Sequence, residues 1–169
     1  TCIDLGAKII NDVSGFDNDE NMVKILSQNP EIKIIIQHCQ GTPETMQENP
    51  QYSNLIEDIY KKLDTKVNFA IQNNIKKENV IIDPGIGFGK TKEQNFEIIK
   101  RWKEFRTIEC PIMIGLSRKS LLNINNSNND EKDLYTLALN SLLINENVDY
   151  IRVHNVKIHK QFTNLIQNI

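Results

Sequence analysis

Five short runs rich in isoleucine and valine recur along the chain, each followed by a longer stretch with helical spacing. The runs cover residues 8–13, 32–37, 80–83, 112–115 and 150–154. Most are apolar on successive residues rather than on alternate ones, which suits parallel strands buried on both faces. Between them lie stripes that read as the core faces of helices. Leu55, Ile59, Leu63, Val67, Ala70 and Ile71 form one, and Phe96, Ile99, Trp102 and Phe105 a second. Leu134, Leu137, Ala138 and Leu142 form a third, and Ile158, Phe162, Leu165 and Ile169 a fourth. Pro30 and Pro111 precede runs, and Asp17 or Asn18 is placed to cap a helix. Alternation of strand and helix throughout means βα units on a parallel sheet.

An open doubly wound sheet and a closed eight-stranded barrel both use such units. A barrel needs about 250 residues. Five units in 169 residues fit the last five-eighths of a TIM-type (β/α)8 barrel, as one domain over residues 1–169 without the first strands. Residues 1–6 read as the end of a helix running into a C-cap glycine, so a cut start is expected. The segment 123–130, rich in Asn, Ser and Asp, reads as a loop.

Composition removes several classes of function. Acidic residues number 22 and basic ones 20, so no basic excess points to nucleic acid. No apolar run approaches the ~20 residues of a membrane span. Cys2, Cys39 and Cys110 are scattered, which fits neither a disulfide framework nor a metal pair and favours a reducing compartment.

Barrel active sites lie at the carboxyl ends of the strands. Here every run delivers polar groups at that end: Asn11 and Asp12; Gln37, His38 and Cys39; Asp83; Ser117, Arg118, Lys119 and Ser120; Arg152, His154 and Asn155. The third end leads into a loop with glycines at every second position: Gly85, Gly87 and Gly89. Such a backbone turns sharply and lies close to a ligand. A P-loop needs a glycine where Pro84 stands, and the third glycine of a dinucleotide fingerprint would fall on Lys90, so neither nucleotide motif fits.

Asp83 and Asn11 suit the amide and amino edges of a flat heterocycle, since a carboxylate accepts two N–H groups and an amide offers a donor and an acceptor. Arg118, Lys119, Arg152 and His154 suit a phosphate or pyrophosphate. Ser120, at the expected start of a short helix, adds a hydroxyl on the anion side. Plainer roles stand beside these: Asp12 as a brace of its turn, His38 as a structural histidine, Lys90 as a solvent-facing lysine and His159 as a surface residue. Cys39 has no base nearby to activate it, and no motif has metal-ligand spacing.

The segments 9–14, 38–47, 83–90, 117–120 and 152–154 together resemble dihydropteroate synthase, in that family's order and spacing. The resemblance implies a TIM-type barrel and a transferase of folate biosynthesis, the target of sulfonamides. Its reaction condenses 6-hydroxymethyl-7,8-dihydropterin pyrophosphate with p-aminobenzoate, giving dihydropteroate and pyrophosphate. It implies that Asn11, Asp83, Gly115 and Lys119 bind the pterin, and that Phe88 and Ser120 meet p-aminobenzoate. Arg152 and His154 then hold the pyrophosphate, with Lys119, Arg152 and His154 as the catalytic set. A magnesium ion is implied, its ligand outside this chain.

The resemblance also leaves open a homodimer, a fusion to another folate-pathway enzyme, and a cytoplasmic or, in a eukaryote, mitochondrial location. Cys39 and Asn155 depart from the family's Met-His-Met and Arg-Val-His-Asp patterns. A methyltetrahydrofolate-binding module of the methyltransferase type shares the pterin grip but has no pyrophosphate to hold. An inactive fragment of a larger fused enzyme is the other alternative. The chain alone is expected to lack activity and to expose strand edges.

Overall fold

The protein is described by a computed structural model that places residues 2–41 and 50–166. Residues 42–47 of the resembling segment 38–47, and Ile169 of the fourth stripe, lie outside the described residues. The elements alternate along the chain: β1 (Ile9–Asp12), α1 (Glu20–Ser27), β2 (Lys33–Gln37), α2 (Leu55–Gln72), β3 (Val80–Asp83), α3 (Lys92–Arg101), β4 (Met113–Ile114), α4 (Asn129–Asn145), β5 (Tyr150–Ile151) and α5 (Val156–Ile166).

Every strand pairing is parallel. β1, β2 and β3 form one sheet, with Asn11 opposite Ile35 and Gln37 opposite Asp83. A bridge between Ile82 and Ile112 carries the pairing on to β4, which pairs with β5. Spatial order therefore follows chain order, and all five carboxyl ends point one way. β4 and β5 are shorter than the runs 112–115 and 150–154, although the Arg152 N–H still donates to the Ile114 carbonyl (3.0 Å).

The two faces of the sheet bury different sets, as period-two side chains require. Ile34, Ile36, Ile82, Ile112 and Ile114 join the main core with Ile59, Leu63 and Val67 of α2 and the fully buried Trp102 and Phe105. Ile35, Ile81 and Met113 make a small cluster on the other face with Tyr150.

Several expectations are corrected. β1 is not buried on both faces: Ile9 is 43 % exposed, because β1 has β2 as its one neighbour among the described residues. The cap of α1 is Asp19, not Asp17 or Asn18; its carboxylate accepts from the Asn21 N–H (2.9 Å). Asp17 instead pairs with Lys66 (2.7 Å). The segment 123–130 is not all loop, since Asn128 and Glu131 form a capping box that starts α4. Ile71 at the end of the first stripe is exposed.

The largest correction concerns α4, which is turned the other way. Leu134 and Leu142 are 56 % and 61 % exposed, while Asp133, Thr136, Asn140 and Leu143 face inward. The inward polar groups have partners. Asp133 takes a two-pronged ion pair from Arg118 (2.9 and 2.8 Å), Thr136 donates to the Lys132 carbonyl (2.7 Å), and Asn140 bonds His159 (3.0 Å). His159 is thus a core residue of α5, and Leu165 of the fourth stripe is exposed.

Candidate active site at the carboxyl ends of the strands

The register brings the strand ends together around one cavity of about 460 Å³. Its lining includes Asn11 after β1, Gln37 at the end of β2, Phe88 on the glycine loop, Gly115 and Lys119 after β4, and Arg152 and His154 after β5. Six of the expected site residues thus line one space: Asn11, Phe88, Gly115, Lys119, Arg152 and His154. Asp83 is not among the lining residues, and neither is Ser120. Ser120 opens the short 3-10 turn Ser120–Leu122, as expected, but is exposed.

Arg152 ties the strand ends to one another. Nη1 donates to Asn11 Oδ1 (2.8 Å), and Nη2 lies within reach of Gln37 Oε1 (3.4 Å) and Asp83 Oδ2 (3.3 Å). Its guanidinium lies against Gly115, where a Cβ would come 3.0 Å from Nη2. Asp83 is buried behind it, and its Oδ1 accepts the Gly85 N–H (2.8 Å). Burial pushes the Asp83 carboxyl up, against the pull of the Arg152 guanidinium and the Gly85 N–H.

The glycine loop owes its path to bare positions, two of which bear on the site. Gly85 sits at φ +72°, and a Cβ there would lie 1.8 Å from the His38 carbonyl oxygen. At Gly87 a Cβ would meet the Lys119 stem at 2.8 Å. Lys119 passes over that gap, donates to the Ile86 carbonyl and sets its ammonium 4.3 Å from the centre of the Phe88 ring. Burial lowers its pKa to about 8, with Asp83 opposing and Arg152 assisting.

His154 is held by Ser117: its N–H donates to Ser117 Oγ (3.1 Å), and Nδ1 lies 2.9 Å from the same hydroxyl. Arg118, expected in the cationic group, is not there. At φ +58° it turns away from Lys119 and is taken by Asp133. Asn155 donates to the same carboxylate (3.3 Å), so its departure from the family pattern falls in the α4–α5 contact.

Lys90 is not a solvent-facing lysine, whereas His38 is the buried structural histidine expected. Lys90 is 2 % exposed, and its Nζ contacts His38 Nδ1, the Gly85 carbonyl and the Phe88 carbonyl, each at 2.9 Å. Burial lowers Lys90 to about 7; burial first and then Lys90 hold the His38 ring down at about 2, so it is neutral. Asn95 went unnoticed in the sequence. Its Oδ1 accepts the Gly87 N–H (2.6 Å) and its amide donates to the Lys90 and Thr91 carbonyls (3.3 and 2.8 Å). The one signal was an amide next to Phe96 on an otherwise apolar stripe.

A larger cavity, about 620 Å³, lies between residues 15–17, Cys39 and α2. Cys39 and His38 line that space and not the one with Asn11, and the polar ends of the other runs do not join them there. Asp12 braces its turn as expected, accepting from the Ser14 and Phe16 N–H groups (2.9 and 2.6 Å). Among the described residues no three His, Cys, Asp or Glu side chains converge to hold a metal. Nor is any helix there long and apolar enough to cross a membrane.

Residues 1–154 match the pattern of the family described as pterin binding enzyme. The dihydropteroate synthase of Clostridium beijerinckii is 35 % identical over 91 % of this chain and 55 % of its own length. A probable bifunctional folylpolyglutamate synthase/dihydropteroate synthase of Haloferax volcanii is 32 % identical over 91 % of this chain and 18 % of its own. The chain thus spans about half the length of the single-function relative. Among solved structures, the dihydropteroate synthase of Thermus thermophilus in complex with 4-aminobenzoate superposes with a TM-score of 0.89 at 25 % identity, covering 99 % of this chain and 68 % of that one. The same enzyme is also known in complex with 6HMPPP.

Proposed function

The chain belongs to the pterin-binding enzyme family, and from that premise we propose that it forms one wall of the active site of a dihydropteroate synthase. The observation that carries the proposal is the cavity where an amide-reading pair, Asn11 on its lining and Asp83 buried behind Arg152, meets the cations Lys119 and Arg152. A pterin ring asks for the first pair and a leaving pyrophosphate for the second. The cation side favours the synthase over a methyltetrahydrofolate-binding module. The five parallel strands are then an arc of a TIM-type barrel within one domain over residues 1–169, in a cytoplasmic or mitochondrial enzyme. A homodimer, and a fusion of the Haloferax kind, are compatible with it.

In this reading Asp83 accepts N–H groups of the pterin, and Arg152 opposes the upward push of burial on its carboxyl. The bond from the pterin methylene carbon to the pyrophosphate oxygen breaks, and its electron pair leaves with pyrophosphate. Arg152, Lys119 and His154 stabilise the charge developing there. The amine nitrogen of p-aminobenzoate, held near Phe88 and Ser120, forms the new C–N bond and gives its proton to water or to pyrophosphate. Among the described residues no three His, Cys, Asp or Glu side chains come together to hold the implied magnesium ion.

The test is the protein expressed from the complete reading frame that contains this chain, given both substrates. Dihydropteroate and one pyrophosphate per turnover are expected; neither product, or methyl transfer from methyltetrahydrofolate in its place, overturns the reading. The 169 residues alone are expected to show no turnover, because the outer edge of β1 leaves Asn11 and Val13 open to water.

Lys119 makes pyrophosphate binding depend on pH. Its ammonium is present in full below about 8 and is lost as pH rises through that value. Pyrophosphate affinity by calorimetry is therefore expected to fall about tenfold between pH 6.5 and 9.5, roughly the worth of one cation contact. Lys119→Met should bind weakly at both pH values, and an equally steep fall in that variant would assign the titration to another group.

A further inference from the structure

We propose that Lys90 is a positioning residue for the aromatic amine, its side-chain nitrogen clasping the glycine loop so that Phe88 stands against Lys119. The inference rests on the synthase reading and deepens it. Three acceptors surround one buried nitrogen: the Gly85 and Phe88 carbonyls and His38 Nδ1, all at 2.9 Å. The two carbonyls belong to the two ends of one tight turn, closed by the Phe88 N–H donating to the Gly85 carbonyl (3.1 Å). Asn95 holds the middle of the same turn through Gly87. The Phe88 ring then lines the cavity with Lys119 above it. A side chain wanted there only to fill space would be apolar, because a buried nitrogen is costly unless its hydrogen bonds are made.

Charge around Lys90 is divided. Asp83 and Cys39 favour its ammonium form, while Lys119 and Lys62 oppose it. The geometry at the Lys90 nitrogen nevertheless suits both forms. As an ammonium, Lys90 donates to both carbonyls and to His38 Nδ1, which leaves the proton of the neutral ring on Nε2, buried there without a hydrogen-bond partner among the described residues. As a neutral amine it still donates to both carbonyls and accepts from an Nδ1–H. The clasp thus holds on either side of its own titration, and the tautomer of His38 reports which form is present.

The experiment uses the complete protein. Lys90→Met should raise KM for p-aminobenzoate by about tenfold or more while the pterin pyrophosphate Kd stays within about threefold, since the turn serves the second substrate. Amide exchange at Phe88 should quicken at least tenfold in the variant, with the β2 and β3 amides unchanged. Equal losses for both substrates, or an unchanged Phe88 amide, overturn the proposal. A measurement on the unmutated protein keeps it testable if the variant does not fold. Ring nitrogen shifts of His38 should show a neutral ring from pH 5 to 9, passing from Nε2–H to Nδ1–H as pH rises through about 7. An imidazolium forming between pH 5 and 7 would refute the clasp. Absence of dihydropteroate would count against the synthase reading alone, and the exchange and tautomer measurements would still decide the role of Lys90.

Discussion

Gly85→Ala is expected to destabilise the protein by more than about 4 kcal/mol, enough to unfold much of a population of ordinary stability. A left-handed backbone at alanine accounts for about 1 kcal/mol of this. The remainder comes from position. The new methyl would lie 1.8 Å from the His38 carbonyl oxygen and 2.9 Å from its carbon, which are backbone atoms and not a side-chain tip. That backbone is fixed, because the His38 N–H donates to the Asp83 carbonyl (2.8 Å) at the point where β2 and β3 end side by side. Relief requires prising those ends apart, and the buried clasp of Lys90 with them. Gly6→Ala is the control. Its φ is +92°, but nothing lies within 4 Å of the added carbon, so only the backbone cost of about 1 kcal/mol is expected. Urea unfolding of the two variants checks this. Equal midpoints would mean that the glycine loop moves aside freely.

Arg152→Ala in the complete protein is expected to lower kcat/KM by about a thousandfold, or ~4 kcal/mol, the scale of losing a preorganised charge at a developing anion. The loss is twofold in kind. The pyrophosphate side loses its two-pronged cation, and Asp83 loses the charge that opposes its burial. The carboxyl of Asp83 then rises further. Its ionised form, the one that accepts the pterin N–H groups, appears only at higher pH, so the variant's residual activity should climb with pH over a range where the parent is flat. Arg152→Lys should recover part of the rate but not the contacts to Asn11 and Gln37, since an ammonium lacks the fork. A loss under tenfold with an unchanged pH profile would remove Arg152 from the chemistry. Stability should fall as well, because Arg152 is 38 % exposed but Asp83, at 1 %, is left buried without its partner.

The sheet was readable because parallel strands announce themselves as unbroken apolar runs; the Ile34, Ile35 and Ile36 triplet has no helical explanation of its own. The cavity was readable because polar residues recurred at the same end of each run. Asp133, Thr136 and Asn140 were not readable. A stripe is found by following apolar residues, and here the inward face is polar because its partners, Arg118 and His159, arrive from elsewhere in the chain. The same cause hid Arg118, since adjacency to Lys119 says nothing of a positive φ that sends the two side chains apart. Lys90 was hidden by its type: a lysine after a glycine loop reads as solvated until three acceptors are found around it.

The tie from Arg152 to Asn11 joins residues 141 positions apart, whereas the tie from Gly87 to Asn95 spans 8. Closing the longer loop costs more chain entropy and slows its formation. The glycine turn is therefore expected to take shape earlier in folding, while the cation that spans the cavity arrives only when β5 docks. Secondary structure and the loop will be recovered before ligand binding in any refolding experiment, and ribosome-bound chains will hold half a site until residue 152 has emerged.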